Sequence, residues 1–141
     1  GVRLVGSEMC IRDSFNPEQV ASMERLEHVL DTHGKTMFRP RFSSDIAEVG
    51  PAGCFDDDVN GICASKAVIA NLMDEDSGTM FEIGFAHSLG IPVYAYREGL
   101  RDGDSINLMI AQSVRAVFSS SDDLARYLET GEHKDADYAQ F

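Results

Sequence analysis

The chain has 141 residues, enough for one domain with a sizeable hydrophobic core. Its 24 acidic and 12 basic residues leave a net charge of −12, which disfavours nucleic acid or an anionic membrane as a partner. No apolar run approaches the ~20 residues that a membrane span needs. We therefore expect a single domain over residues 1–141 that binds a neutral or cationic small molecule, or whose charge serves only solubility.

The cysteines and histidines of the chain do not form a metal-binding pattern. Cys10, Cys54 and Cys63 are an odd count without a CxxC pair, which favours free thiols in a reducing cytosol over a disulfide framework. The four His residues lack HxxxH or HxH spacing. We expect a cytoplasmic protein that binds no metal.

Residues 1–14 fit the rest of the chain least well. Val2–Gly6 reads as a first strand that ends in a glycine turn. However, the string from Val5 to Ser14 resembles translated sequencing-adaptor read-through, which occurs on unrelated assembled sequences. No apolar core follows its charges, so the segment is not a signal peptide. We expect residues 1–14 to be non-native.

The first predicted helix begins at Asn16–Pro17–Glu18, where a capping residue, a proline at the first helical position and an acid follow one another. Its apolar side chains share one face and end before Gly34: Val20, Met23, Leu26, Val29 and Leu30. A short strand, Lys35–Phe38, follows. The loop from Arg39 to Gly53 is long enough to be a lid over a pocket.

A second helix is predicted to begin at Phe55 and to run to about Ser65. The three successive acids Asp56–Asp58 suit the dipole of a helix start, and this alone explains them. The apolar run Ala67–Met73 then reads as a buried parallel strand. Because the helix leads into this strand, we expect Asp58 at the carboxyl edge of the sheet, where ligands bind.

Asp76–Ser77–Gly78–Thr79–Met80–Phe81–Glu82 reads as a strand-to-helix turn, in which Gly78 allows tight backbone geometry. The helical pattern that follows ends at Gly90. We expect Glu82 in the first turn, where the helix dipole favours the ionised carboxylate of a nucleophile. Asp76 and Asp58 should lie nearby and raise at least one pKa. From this stretch alone, an acidic helix start with a helix-facing Glu explains the residues equally well.

The rest of the chain continues the alternation of strands and helices. Its predicted elements are, in order, the strand Ile91–Tyr96, a short helix at Ile106–Ile110, the strand Ala116–Phe118 and a helix capped by Ser120 or Ser121. The tail from Gly131 to Phe141 is polar and acidic, and we expect it to be disordered or docked onto a neighbour. The pattern predicts an α/β fold with a doubly wound, five-stranded parallel sheet and helices on both faces.

Three motifs, in this order, resemble those of the nucleoside 2-deoxyribosyltransferases. They are Asp58–Val59–Asn60–Gly61–Ile62, the segment from Asp76 to Ala86 continued by Leu89–Gly90–Ile91–Pro92–Val93, and Ile106–Asn107–Leu108–Met109. The resemblance covers Phe55 to Phe118 and implies a flavodoxin-like (Rossmann-like) sandwich, no cofactor, and dimers that pair into hexamers. The chain departs from the family in its first strand, which in the family supplies a tyrosine and a Gly-Pro turn to the pocket and here carries Arg3 and Gly6–Ser7.

By this resemblance, two acids carry the chemistry. Glu82 attacks C1′ of a 2′-deoxynucleoside and forms a deoxyribosyl ester, as in retaining glycosidases. Asp58 protonates the departing base and deprotonates the incoming one. The implied reaction is transfer of the 2-deoxyribosyl group between nucleobases, with a 2′-deoxynucleoside and a free nucleobase as the small-molecule partners.

The resemblance also implies four substrate-binding residues: Asp76, Gly78, Asn107 and Met109. Asp76 is the ligand of a sugar hydroxyl, and its charge would repel a 5′-phosphate, which favours nucleosides over nucleotides. Asn107 and Met109 reach into a neighbouring subunit, so the active site is shared within a homo-oligomer. An aromatic residue of the tail, Phe141 or Tyr138, is expected to contact a site.

Two other functions fit the same motifs. One is an N-glycosidase of the same superfamily, which hydrolyses nucleosides or nucleotides. The other is a non-catalytic nucleotide-sensing module on the same fold. Flavin binding fits the fold but not the turns, which lack a cluster of glycines and phosphate-binding hydroxyls.

Overall fold

Five short parallel strands form the centre of the protein. The computed structural model describes residues 1–5, 17–38, 46–73 and 76–141. The strands of the central sheet lie in the order β2-β1-β3-β4-β6 and are β1 (Val2–Val5), β2 (Met37–Phe38), β3 (Ala67–Asn71), β4 (Val93–Tyr96) and β6 (Val117–Phe118). Strand order reverses between β1 and β3, where Arg3 lies opposite Val68. In open parallel sheets of this kind, ligands bind at such a switch point.

Helices cover both faces of the sheet. They are α1 (Pro17–Thr32), α2 (Ile46–Cys63), α3 (Ser77–Ser88), α4 (Leu108–Ser113) and α5 (Ser121–Thr130). Because neighbouring strand residues point to opposite faces, Leu4 packs with α1 and α5, whereas Val5 packs with α2, α3 and α4. The prediction of a doubly wound five-stranded parallel sheet is confirmed.

Helix α2 begins earlier than the sequence predicts. It consists of a short piece from Ile46 and a longer piece from Pro51, joined at Gly50 with φ 73° and ψ 172°. Only glycine adopts this conformation readily, and proline suits the first position of the helix that follows. The start predicted at Phe55 is therefore wrong, and the end of the predicted 39–53 loop is helical. Residues 39–45, like the predicted cap Asn16, lie outside the described residues.

The carboxyl-terminal tail folds onto its own chain. Ala139–Gln140 forms β7, which pairs in parallel with β5 (Ser105–Ile106) in a separate two-stranded sheet. The amide of Leu108 donates to the carbonyl of Phe141 at 2.7 Å. The expectation that the tail is disordered or docked onto a neighbour is wrong, because the edge of β5 is free to accept a strand. The short helix after β5 accordingly begins at Leu108 and not at Ile106.

Other sequence expectations have mixed outcomes. Helix α5 is capped by Ser120, whose hydroxyl accepts from the amide of Asp123, as predicted. Cys63 is free and exposed, whereas Cys54 is disulfide-bonded, so the expectation of free thiols is wrong for Cys54. Among the described helices, none combines the length and the hydropathy that crossing a membrane would take.

Candidate functional site

Asp76 anchors the beginning of α3. Its Oδ1 accepts from the backbone amide of Thr79 at 2.9 Å, and its Oδ2 accepts from the Thr79 hydroxyl at 2.7 Å. Thr79 is fully buried, so the carboxylate is held rigidly at the helix start. Gly78 is the second residue of α3 and lies within the helix, not in a tight turn before it. Helix α3 ends just before Gly90 (φ 74°), as predicted.

Glu82 is a buried carboxyl group to which no described residue donates a hydrogen bond. Its residue is 3% exposed, and neither carboxyl oxygen accepts a hydrogen bond from any described residue. Burial raises the pKa of Glu82 to about 8; the negative charges of Asp58 and Asp76 add to the rise, and the positive charge of Arg3 opposes it. Glu82 therefore retains its proton at neutral pH in this state of the protein.

This protonation corrects the sequence expectation for Glu82. The helix begins at Ser77, which places Glu82 in the second turn and not in the first. The helix dipole acts mainly within the first turn, so it contributes little here. Loss of hydration has the larger effect on the pKa, because the side chain is buried between α3 and the sheet.

Asp58 lies deep within α2. It is the eighth residue counted from Pro51, so the Asp56–Asp58 triplet does not form a helix start, and the dipole explanation for these acids is wrong. Oδ1 of Asp58 accepts from Nη2 of Arg3 at 2.9 Å. Burial raises the pKa of Asp58, the Arg3 charge opposes this rise, and the neighbouring Asp57 adds to it.

Arg3 is a member of this site that the sequence analysis did not assign. It is 3% exposed and lies on β1, facing α2. A Cβ at position 61 would lie 2.5 Å from Nη1 of Arg3, so Gly61 makes room for the guanidinium. The sequence does contain a signal for this role, since Arg3 is a cation in an otherwise apolar parallel strand. A buried cation needs an acid nearby, so its position indicates an acidic partner.

The structure therefore brings the predicted acids together, and it adds Arg3, a cation that the sequence did not predict at this site. Asp58, Asp76 and Arg3 come from α2, the start of α3 and β1, and the charge of each acts on Glu82. Within the described parts of the chain, no group of three or more His, Cys, Asp or Glu side chains has a geometry that could hold a metal ion. The arrangement is suited to chemistry by carboxyl groups, in which one proton moves between neighbouring acids.

Asn107 and Met109 lie in a separate groove. Asn107 caps α4, and its side chain accepts from the amide of Met109 at 2.8 Å. The groove has a volume of about 480 Å³ and is lined by Met80, Ile83, Gly84, Asn107, Met109, Ile110, Ser113 and Phe141. Glu82, Asp58 and Asp76 are not among the lining residues. Within one chain, the structure does not bring Asn107 and Met109 into the carboxylate group.

Comparison with known proteins agrees with the motifs. The model of the family described as nucleoside 2-deoxyribosyltransferase matches residues 9–112. A solved structure of a 2-deoxyribosyltransferase from the psychrotolerant bacterium Bacillus psychrosaccharolyticus is similar, with a TM-score of 0.71 and 28% identity. The similarity covers 90% of this chain and 92% of that one. No curated protein matches the chain significantly.

Proposed function

The chain belongs to the nucleoside 2-deoxyribosyltransferase family, and we propose that it transfers a 2-deoxyribosyl group between nucleobases through a covalent ester on Glu82. Membership makes it a transferase, with nucleosides and nucleobases as substrates. The observation that supports Glu82 as the nucleophile is its burial beside Asp58 without a hydrogen-bond donor among the described residues. A structural carboxyl group of this kind would be costly, because buried polar groups are normally satisfied.

The proposed reaction has two halves that mirror each other. The carboxylate of Glu82 attacks C1′ while the bond from C1′ to the base nitrogen breaks, and Asp58 gives its proton to the departing base. The incoming base then attacks C1′ of the ester, the bond to Glu82 breaks, and Asp58 takes the proton of that base. The first half therefore begins with an ionised Glu82 and a protonated Asp58. The second half ends with the same two states.

Asp76 is proposed to select the sugar. Its two oxygens already accept from Thr79, and each retains a further lone pair for a sugar hydroxyl. A phosphate at the same place would meet a fixed negative charge. We therefore expect a 2′-deoxynucleoside to be the donor, and its 5′-monophosphate to be a poor one. Gly78, in the same first turn, is proposed to lie against the substrate.

Asn107 and Met109 are proposed to complete the site of a second copy. They line a groove that is apart from Glu82, and Met109 is 67% exposed. Phe141, a second exposed apolar side chain, also lines this groove, as expected for a surface that is covered in an assembly. The proposed active protein is a homo-oligomer, a dimer or a hexamer of paired dimers, in which Asn107 binds the sugar hydroxyls.

The test is base exchange, measured with a nucleophile variant and a matched control. Purified protein is incubated with 2′-deoxyinosine and excess adenine, and the products are separated by chromatography. We expect deoxyadenosine from the parent chain and from Glu24→Gln, an exposed Glu on α1, and none from Glu82→Gln. Glu82→Gln keeps the shape of the side chain but cannot form the ester.

Other product patterns would contradict the proposal in different ways. Hypoxanthine with free deoxyribose, and no deoxyadenosine, would identify a hydrolase. Deoxyadenosine formation that persists in Glu82→Gln would remove Glu82 from the role of nucleophile. Binding of 2′-deoxyinosine without turnover in the parent chain would leave a sensing module as the better description.

A further inference from the structure

The guanidinium of Arg3 is bonded to one of the two reacting acids and not to the other. Its Nη2 donates to Oδ1 of Asp58 at 2.9 Å, and the pair is largely buried. No described residue accepts a hydrogen bond from Nε of Arg3. Arginine cannot lose its proton in a protein, so its charge and its hydrogen bond favour the carboxylate form of Asp58 and oppose the effect of burial.

Glu82 has the opposite surroundings. No described group donates a hydrogen bond to its oxygens, and the side chain is almost entirely buried. An ionised carboxylate under these conditions would lose its hydration without compensation. Two neighbouring acids of like charge also resist ionising together. With a single proton between them, these surroundings favour the proton on Glu82 and the charge on Asp58.

The first half of the reaction needs the reverse arrangement. Glu82 must be ionised to attack C1′, and Asp58 must hold a proton to give to the base. We propose that Arg3, by its direct bond to Asp58, holds the proton on Glu82 and so acts as a positioning residue that slows base departure. This inference rests on the proposed function and identifies a control of the same site.

The other charged groups around the two acids do not reverse this bias. Glu82 is faced by Asp58 on α2, Arg3 on β1 and Asp76 at the start of α3, and Asp58 is faced in addition by Asp57. The acids raise the pKa values of both groups. Arg3 is a cation that acts on both, and of the two acids it hydrogen-bonds to Asp58. Arg3 lies on β1, which pairs with β2 on one side and β3 on the other.

The test removes the charge of Arg3 and observes directly whether Glu82 or Asp58 is protonated. Arg3→Met keeps much of the length of the side chain without its charge. The carboxyl carbons of Glu82 and Asp58 are observed by carbon-13 NMR at neutral pH and assigned with Glu82→Gln and Asp58→Asn. In the parent chain we expect a protonated Glu82 and an ionised Asp58. In Arg3→Met we expect the Asp58 signal to move to the protonated position.

The rate of base release should change in parallel. In a single turnover with 2′-deoxyinosine, we expect Arg3→Met to release hypoxanthine about tenfold faster. This factor is the change in the population of the reactive protonation state when the pKa difference between the two acids shifts by about one unit. The KM for the nucleoside should be unchanged. The matched control is Arg25→Met, which removes an arginine bonded to Glu98 on the other side of the sheet and should alter neither the two NMR signals nor the rate.

A second variant guards against misfolding of Arg3→Met. Gly61→Ala keeps Arg3 but places a methyl group where its guanidinium lies, so it should weaken the bond to Asp58 and move the NMR signals in the same direction. An Asp58 that stays ionised in both variants would overturn the inference, as would slower base release in both. The NMR measurement needs no turnover, so an inactive parent chain with the expected signals would reject the proposed function alone.

Discussion

Glu82 shows how strongly the environment of one residue can outweigh its position in a helix. A carboxyl group in the early turns of a helix is expected to be ionised, but desolvation of a side chain that is 3% exposed has the larger effect. The same burial makes Glu82 a stronger nucleophile once the proton has left, because no donor among the described residues stabilises the carboxylate.

Burial of Glu82 predicts a specific dependence of stability on pH. Its pKa rises from the ordinary 4.5 to about 8 on folding. Between these values the folded chain holds a proton that the unfolded chain has lost, so the free energy of unfolding falls as pH rises, by up to ~1.4 kcal/mol per pH unit. The contribution is complete below the lower value and is lost above the upper one.

The measurement is urea unfolding of the parent chain and of Glu82→Gln across this pH window. Glutamine does not titrate, so its slope against pH should be smaller, and the variant should gain stability relative to the parent as pH rises toward 8. Parallel curves for the two proteins would show that Glu82 does not carry the raised pKa.

At the scale of the element, α3 is the part that holds the site together. Its start carries Asp76 and Gly78 and its second turn carries Glu82. Met80, Ile83 and Gly84 of the same helix form one wall of the groove with Asn107. The cap formed by Asp76 and Thr79 fixes the first turn of this helix, and Ile83 and Ala86 pack the helix into the core. The carboxylate at the helix start serves both the fold and, as proposed, the substrate.

These two roles of Asp76 can be separated by two substitutions. Asp76→Ala removes the cap and should lower the free energy of unfolding by about 1 kcal/mol, whereas Asp76→Asn retains a good capping group and should lower it by much less. Both should impair use of 2′-deoxyinosine if the carboxylate binds the sugar. Urea unfolding and base exchange measure the two effects, and full activity of Asp76→Asn would leave Asp76 with the capping role alone.

At the scale of the whole molecule, the groove beside α4 is an apolar surface that the described residues leave partly uncovered. The tail pairs with β5 through β7 and brings Phe141 beside Met109, both largely exposed at the groove. The expected contact of a tail aromatic with a site stays a prediction, because the site concerned would belong to a second copy. The proposed shared active site makes assembly and activity depend on the same surface.

A charge in this groove should therefore reduce both assembly and activity. We expect Met109→Glu to lower the mass in solution, measured by light scattering during size-exclusion chromatography, and to reduce base exchange at least about tenfold, because burying an unpaired carboxylate is costly. His28→Glu places the same charge on the exposed face of α1, on the other side of the sheet, and should change neither property. A full-sized assembly of Met109→Glu without activity would place Met109 outside the interface.

Much of the fold and part of the site could be predicted from local patterns. Apolar runs and helical spacing correctly predicted the parallel sheet and the end of α3 before Gly90, because these features depend on residues within a few positions of one another. The motif around Asp58 and the motif containing Glu82 identified two acids that the fold does bring together.

Other features depend on contacts between distant segments, which no local pattern specifies. Asp58 pairs with Arg3, 55 positions away, and this contact together with burial determines which acid holds the proton. The strand of the tail depends on the free edge of β5, far back in the chain. Residue types and their spacing placed carboxylates at one site, but the charge of each carboxylate follows from the summed burial and charges of β1, α2 and α3, which exist only once the chain has folded.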